Sequence, residues 1–332
     1  MFRRIVASLL ILLIAGSTLI LSGGQGDTAN RPFAIHAAPV ALDGGNPSRR
    51  DIGGLHYLGG WVLTSENPDF GGISAMVLEG DGFVAIGDAG GLFRFALDDA
   101  GAIMRADIAE LPAGPIPDDG GDVRKRDRDA EALARDPETG RYWVAFERAN
   151  GFWRFDGAFD RSEANAAPEA MADWPSNGGA EAMVRLDDGR FLIFSEAGNG
   201  PGDSREVLLF AGDPVEGGLA PLRLGYRPPD AHRITDAALL PDGRLLILNR
   251  DFSIMGGVSV ILSITSLDTL VAGTILESEI VARLDPPVTI DNMEALAVEE
   301  QDGRTIVWMA SDDNFNPLQR TLLLKFELVA RR

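Results

Sequence analysis

The residues of this chain best suited to chemistry are carboxylates that return inside a repeated cassette. Its copies read Asp129-Ala130-Glu131-Ala132-Leu133, Gly179-Ala180-Glu181-Ala182-Met183, Thr235-Asp236-Ala237-Ala238-Leu239 and Asn292-Met293-Glu294-Ala295-Leu296. A fainter copy, Ile73-Ser74-Ala75-Met76-Val77, comes first. After each cassette a turn leads into an apolar run that ends in an acid, at Asp88, Glu147, Glu196, Asp251 and Asp312. If these acids converge, their charges repel and their pKa values rise unless something positive sits among them. A hard cation is one such partner, and oxygen ligands in a broad, irregular ring suit Ca²⁺ better than Mg²⁺. The expected ligands are Glu131, Glu181, Asp236 and Glu294, with Asp129, Glu196 and Asp312 next. Arg128, Arg148, Arg233, Arg250 and Arg320 in the same loops are the other source of positive charge. They either neutralise the acids or clamp a phosphate or carboxylate bidentately.

The elements that would carry these acids are short strands. Beyond residue 30 the turns are Gly, Asp, Asn and Pro, and the apolar runs are mostly four to eight residues long. Tyr142 to Phe146 is aromatic and β-branched enough for a strand, with counterparts at Phe83 to Ile86, Phe191 to Phe194, Leu245 to Leu248 and Thr305 to Met309. Asp-Gly precedes four of these five runs, and Gly and Asp tolerate the positive φ of a tight hairpin. A third strand closes each unit, and a less regular fourth is expected at Arg105 to Leu111, Leu222 to Arg227 and Glu277 to Leu284.

Three or four antiparallel strands per repeat describe the blade of a β-propeller, an all-β fold. Five cassettes are visible. Leu55 to Leu63 is left over and is expected to join strands from the other terminus in a sixth blade, giving six four-stranded blades, with five or seven still open. A β-sandwich is the alternative, but a sandwich has no reason to repeat one acidic position. Residues 31–332 are expected to form this single domain.

The composition narrows the function. The chain has 332 residues, 30 Lys+Arg against 50 Asp+Glu, and a formal charge of -20. That balance opposes nucleic acid as a partner, since such binding rests on neutralising phosphates. With no cysteine, disulfides, zinc thiolates and thiol catalysis are excluded. Three histidines do not readily furnish a three-histidine zinc site. At the N-terminus, Arg3-Arg4 precedes the apolar run Ile5 to Leu21 and a glycine-rich tail, the pattern of an export signal. As a helix the run would be about 25 Å long, so residues 1–30 are expected to serve as a cleaved signal peptide or a marginal membrane anchor. The protein is therefore expected in the periplasm or outside the cell.

Several stretches resemble the phytase-like family described as having esterase-like activity of phytase. They are Phe70-Gly71-Gly72-Ile73-Ser74-Ala75-Met76 with Ala85-Ile86-Gly87-Asp88, Arg128 to Ala134, Gly179 to Met183, Asp291 to Ala297, and Ser311 to Thr321. The resemblance spans roughly residues 50–330. It implies a kinship with calcium-dependent propeller phytases, in which bound Ca²⁺ activates a water for phosphomonoester hydrolysis. On that resemblance Glu131, Glu181, Asp236 and Glu294 would hold metal, Arg148 and Arg250 would hold the anion, and Glu196 would orient water. Lys125 and Lys325 are the only lysines, which favours a small phosphoester over a highly phosphorylated inositol. A serine esterase lacks support, because no Gly-x-Ser-x-Gly elbow occurs. The other functional class is a calcium-stabilised propeller that binds a ligand or a protein without turnover.

Overall fold

The computed structural model describes residues 35–115, 125–218, 220–253 and 255–329. The expected export segment, residues 1–30, lies outside the described residues. Among those described, no helix is long and apolar enough to cross a membrane.

Five antiparallel sheets follow one another along the chain. Blade one runs Ile73–Glu79, Gly82–Gly87, Gly91–Leu97 and Ile103–Glu110 from the inside outward; blade two runs Ala130–Arg135, Tyr142–Phe146, Gly151–Phe155 and Ser162–Ala166. Blade three comprises Ala180–Arg185, Phe191–Asn199, Arg205–Phe210 and Leu222–Tyr226, with Ile275–Leu276 added in parallel at its edge. Blade four comprises Arg233–Leu239, Leu245–Ser253, Gly257–Thr265 and Glu279–Leu284. The first strand of each blade packs against the first strands of both neighbours, so the five inner strands close a ring around a channel.

The ring has five blades, which corrects the expected six. The cassette at Met293–Gln301 continues through Arg304–Ser311 and Thr321–Leu328 and then has no strand of its own left. Leu55–Ser65 supplies the missing one, pairing antiparallel with Thr321–Leu328 from Leu63 opposite Thr321 to Leu55 opposite Leu328. The leftover N-terminal segment therefore completes blade five rather than starting another, and Ile35–Pro39 pairs on its far side. Joining the two termini in one sheet removes the edges that an open ring would expose. Gly60 sits in this seam because a Cβ there would come 2.5 Å from the Tyr57 hydroxyl and 2.6 Å from Leu324 Cδ2.

The core lies between blades. Five buried apolar clusters each join strands of two neighbours, for example Leu248 and Leu262 of blade four against Met309 and Leu324 of blade five. Second strands are covered on both faces, so every residue of Tyr142–Phe146 is buried. That double burial explains why these strands read as unbroken apolar runs instead of alternating ones. The Asp-Gly turns close hairpins with Gly189, Gly243 and Gly303 at φ of 86°, 83° and 72°.

Candidate metal centre at the channel mouth

All five inner strands share one irregularity. Pairing with the second strand skips a residue between Ile73 and Ala75, Ala130 and Ala132, Ala180 and Ala182, Ile234 and Asp236, and Met293 and Ala295. The skipped residues are Ser74, Glu131, Glu181, Thr235 and Glu294. A bulge of this kind re-aims a side chain that regular pleating would turn elsewhere. In blade four the bulged position belongs to Thr235, so Asp236 is not the register equivalent of Glu131, Glu181 and Glu294.

A second tier stands beside the first. Asp88, Glu147, Glu196 and Asp312 each donate a backbone N–H to the residue two before the bulge: Gly72, Asp129, Gly179 and Asn292, at 3.0, 2.9, 3.1 and 2.9 Å. In blade four the matching pair is Arg233 and Arg250. The second tier is therefore four acids and one arginine, and Arg250, not Asp251, holds the blade-four place. Asp251, the acid that ends the blade-four run, is exposed.

Three of the nominated acids are drawn together from different blades. Burial, then the charges of Glu181, Asp129, Glu294 and Glu147, hold the Glu131 carboxyl well above the usual range. Burial again comes first for Glu181, followed by Glu196, Glu147 and Glu294. Burial lifts Glu294 to about 7, with Arg250 partly offsetting the rise. Asp312 is pushed up to about 8, by burial first and then by Asp88, Glu294 and Asp313. Burial also raises Glu147, against the lowering effect of backbone N–H groups from Gly178 and Gly179 and a side-chain hydrogen bond with Glu181. Carboxylate oxygens of Asp129, Glu131 and Glu147 all lie within 4.8 Å of one another.

Among the described residues, three arginines beside these acids are each engaged by one of them. Arg250 Nη2 meets Glu294 Oε1 at 2.9 Å, Arg148 Nε meets Asp129 Oδ2 at 2.9 Å, and Arg233 Nη1 meets Glu196 Oε2 at 3.2 Å. Asn292, which sequence reasoning did not nominate, donates from Nδ2 to Glu294 Oε1 at 3.0 Å and to Asp312 Oδ2 at 3.4 Å. Its place two residues before a bulged acid was the available signal.

Asp236 does something different. Its Oδ1 accepts the N–H of Ala237 and its Oδ2 that of Leu296, both at 2.7 Å, which ties blade four to blade five. It also lines a cavity of about 400 Å³ that the later parts of all five inner strands enclose. Burial raises its pKa well above the carboxylate range despite both bonds.

The two bulged hydroxyls stitch blades in one common way. Ser74 Oγ donates to the Ala130 carbonyl at 2.7 Å and Thr235 Oγ1 to the Met293 carbonyl at 3.1 Å, in each case just before the next blade's bulged acid. Ser195 and Ser311 likewise donate to the carbonyls of Gly178 and Arg320. With hydroxyl protons spent on backbone carbonyls, these serines lack the histidine partner of an activated nucleophile.

The donor set fits a divalent cation. Three carboxylates spaced this closely match the span that Ca²⁺ bridges with bonds of about 2.3–2.6 Å. Burial first, and then the neighbouring acids, raise the pKa of Glu131, and burial raises that of Glu147; a bound cation would offset that penalty on the ionised forms. Asp129, Glu131 and Glu147 could thus hold a metal ion, with Glu181 next to them.

No curated protein matches the chain. Solved structures do, at low similarity. A chain of the mitotic checkpoint complex is 11% identical over 78% of this chain and 64% of its own length, with a TM-score of 0.38. The hydrazine synthase of Kuenenia stuttgartiensis is 12% identical over 74% of this chain and 58% of its own, at 0.36. This chain thus spans less than two thirds of either. The Cps50 (Swd1) β-propeller domain of Myceliophteria thermophila is 9% identical over 90% of this chain and 100% of its own, at 0.41. The family profile described as "Phytase-like: Esterase-like activity of phytase" matches residues 68–315, which take in the bulged position and the second-tier position of every blade. The chain belongs to the phytase-like family.

Proposed function

We propose that the chain is an exported, Ca²⁺-dependent hydrolase of small phosphomonoesters, working at the acidic mouth of the channel. The observation that carries this reading is the close set Asp129, Glu131 and Glu147, with the arginines Arg148 and Arg250 engaged beside it. Bound Ca²⁺ would supply a Lewis acid that offsets phosphate charge and lowers the pKa of water. Asp129, Glu131 and Glu147 would hold it, with Glu181 beside them and Glu294 and Asp312 completing the negative wall.

The chain's own groups then divide the remaining work. Arg148, whose side chain is 45% exposed, can turn from Asp129 toward an anion at the mouth. Arg250 is more enclosed, at 22%, and offers a fixed charge beside Glu294. Together they would grip phosphoryl oxygens and offset charge that grows in the transition state. Glu196, kept in place by Arg233, orients the attacking water. A negative protein needs such local cations, because its long-range field repels an anionic substrate.

The test is phosphate release from a panel of small phosphoesters, measured with Ca²⁺ and with chelator. Turnover that appears only with Ca²⁺ is the expected result. No release from any ester at high enzyme concentration would leave a binding propeller instead, and equal release after chelation would defeat the metal's role.

A further inference from the structure

We propose that the mouth selects esters whose leaving group is flat and apolar, an aryl phosphate above all, and that Phe315 is the platform for that group. The proposal rests on the hydrolase reading and adds its substrate class. Phe315 lies in the loop joining Arg304–Ser311 to Thr321–Leu328, three residues after the second-tier acid Asp312. Asp313 organises this loop: its Oδ1 accepts the N–H of Gly72 at 2.9 Å and of Phe315 at 3.1 Å, and its Oδ2 accepts the Thr321 hydroxyl at 3.0 Å. The loop is thereby pinned to the entry of blade one.

The pinning holds Asn314 and Phe315 in left-handed backbone, both at φ 49°. A bulky aromatic residue rarely adopts that conformation, and such outliers persist only where their surroundings enforce them. Gly72 leaves room for the ring. A Cβ there would come 2.6 Å from Phe315 Cε2 and 2.4 Å from Asp88 Oδ1, so ring edge and carboxylate lie within about 5 Å of each other. Even so, Phe315 stays 38% exposed. An aromatic ring is thus held at the rim of the acid cluster with part of its surface open to solvent.

A second exposed ring rises from the neighbouring blade. Phe252 follows Arg250 by two residues on Leu245–Ser253, so both side chains leave the strand on one side. It stands about 7 Å farther along the strand and is 62% exposed. A phosphoryl group held by Arg250 would have Phe252 two residues beyond it on the same side of the strand. Of the chain's two lysines, Lys125 and Lys325, the latter lies over the Trp308 ring at 4.6 Å, within blade five.

The experiment measures, with Ca²⁺ present, calorimetric binding of phenylphosphonate and methylphosphonate and turnover of phenyl phosphate and glycerol phosphate. Wild type, Phe315→Ala, Phe315→Trp and Phe252→Ala are compared, with thermal melts to confirm folding. Stacking of this kind is worth about tenfold in affinity. Wild type should therefore prefer the phenyl ligand by about that factor, Phe315→Ala should lose most of the preference, and Phe315→Trp should keep it. An undiminished preference in folded Phe315→Ala overturns the platform and leaves the hydrolase reading intact. Loss of the phosphonate preference without turnover of either ester supports the platform and removes the hydrolase. Failure of wild type to bind either phosphonate overturns both.

Discussion

Glu294→Gln, studied in protein stripped of divalent cations, isolates what the crowded acids cost the fold. Glu294 is enclosed, bonded to Arg250 and Asn292, and its pKa stands at about 7 against 4.5 for an ordinary Glu. Because the folded value is raised, the group's favourable contribution is fully present below pH 4.5 and is lost as pH rises through 7. A rise of that size corresponds to about 3 kcal/mol once the carboxylate is ionised in both states. Glutamine resembles the neutral acid in shape and never ionises. In chelator, the variant should be more stable than wild type by about 3 kcal/mol at pH 8.5 and by less than about 0.5 kcal/mol near pH 4.5. Arg250's attraction for Glu294 already tempers the pKa from which this figure comes. With saturating Ca²⁺ the order should reverse, since wild type gains more binding energy. Urea denaturation at the two pH values, with and without Ca²⁺, measures all four differences. A variant destabilised by the same amount at both pH values in chelator would refute the reasoning.

Other consequences follow from the same contacts. Thr235→Val removes the hydroxyl that reaches the Met293 carbonyl and should cost about 1–3 kcal/mol by leaving that buried acceptor unpaired, measurable by denaturation. Gly60→Ala forces a methyl against Tyr57 and Leu324 in the seam between the termini and should cost about 1–3 kcal/mol, read as a lowered Tm. Apparent Ca²⁺ affinity should fall as pH drops below about 8 and then 7, because protons compete for Asp312 and Glu294; calorimetric titration at several pH values checks this.

The repeat, its strands and the gathering of acids could be read from residue types because double burial leaves long apolar runs and each blade repeats them. Blade number could not be counted from cassettes alone. Leu55 to Leu63 carries the same apolar signal whether it begins a new blade or finishes an old one, and only its pairing with Thr321–Leu328 decides. Register was hidden for a similar reason. A bulge shifts one residue without changing composition, so Asp236 looks like the partner of Glu131 although Thr235 occupies the bulge. The same offset makes Asp251 look like a second-tier acid where the pairing puts Arg250. The Asp313 network ties loops distant in sequence, Gly72 to the Asp313 turn, and no periodicity marks it.

The most direct test is a crystal structure with Ca²⁺ as the only divalent cation, with anomalous data collected at long wavelength. An ion is expected at about 2.3–2.6 Å from carboxylate oxygens of Asp129, Glu131 and Glu147. A mouth in which these carboxyls instead hydrogen-bond one another as neutral acids, with no ion at saturating Ca²⁺, would contradict it.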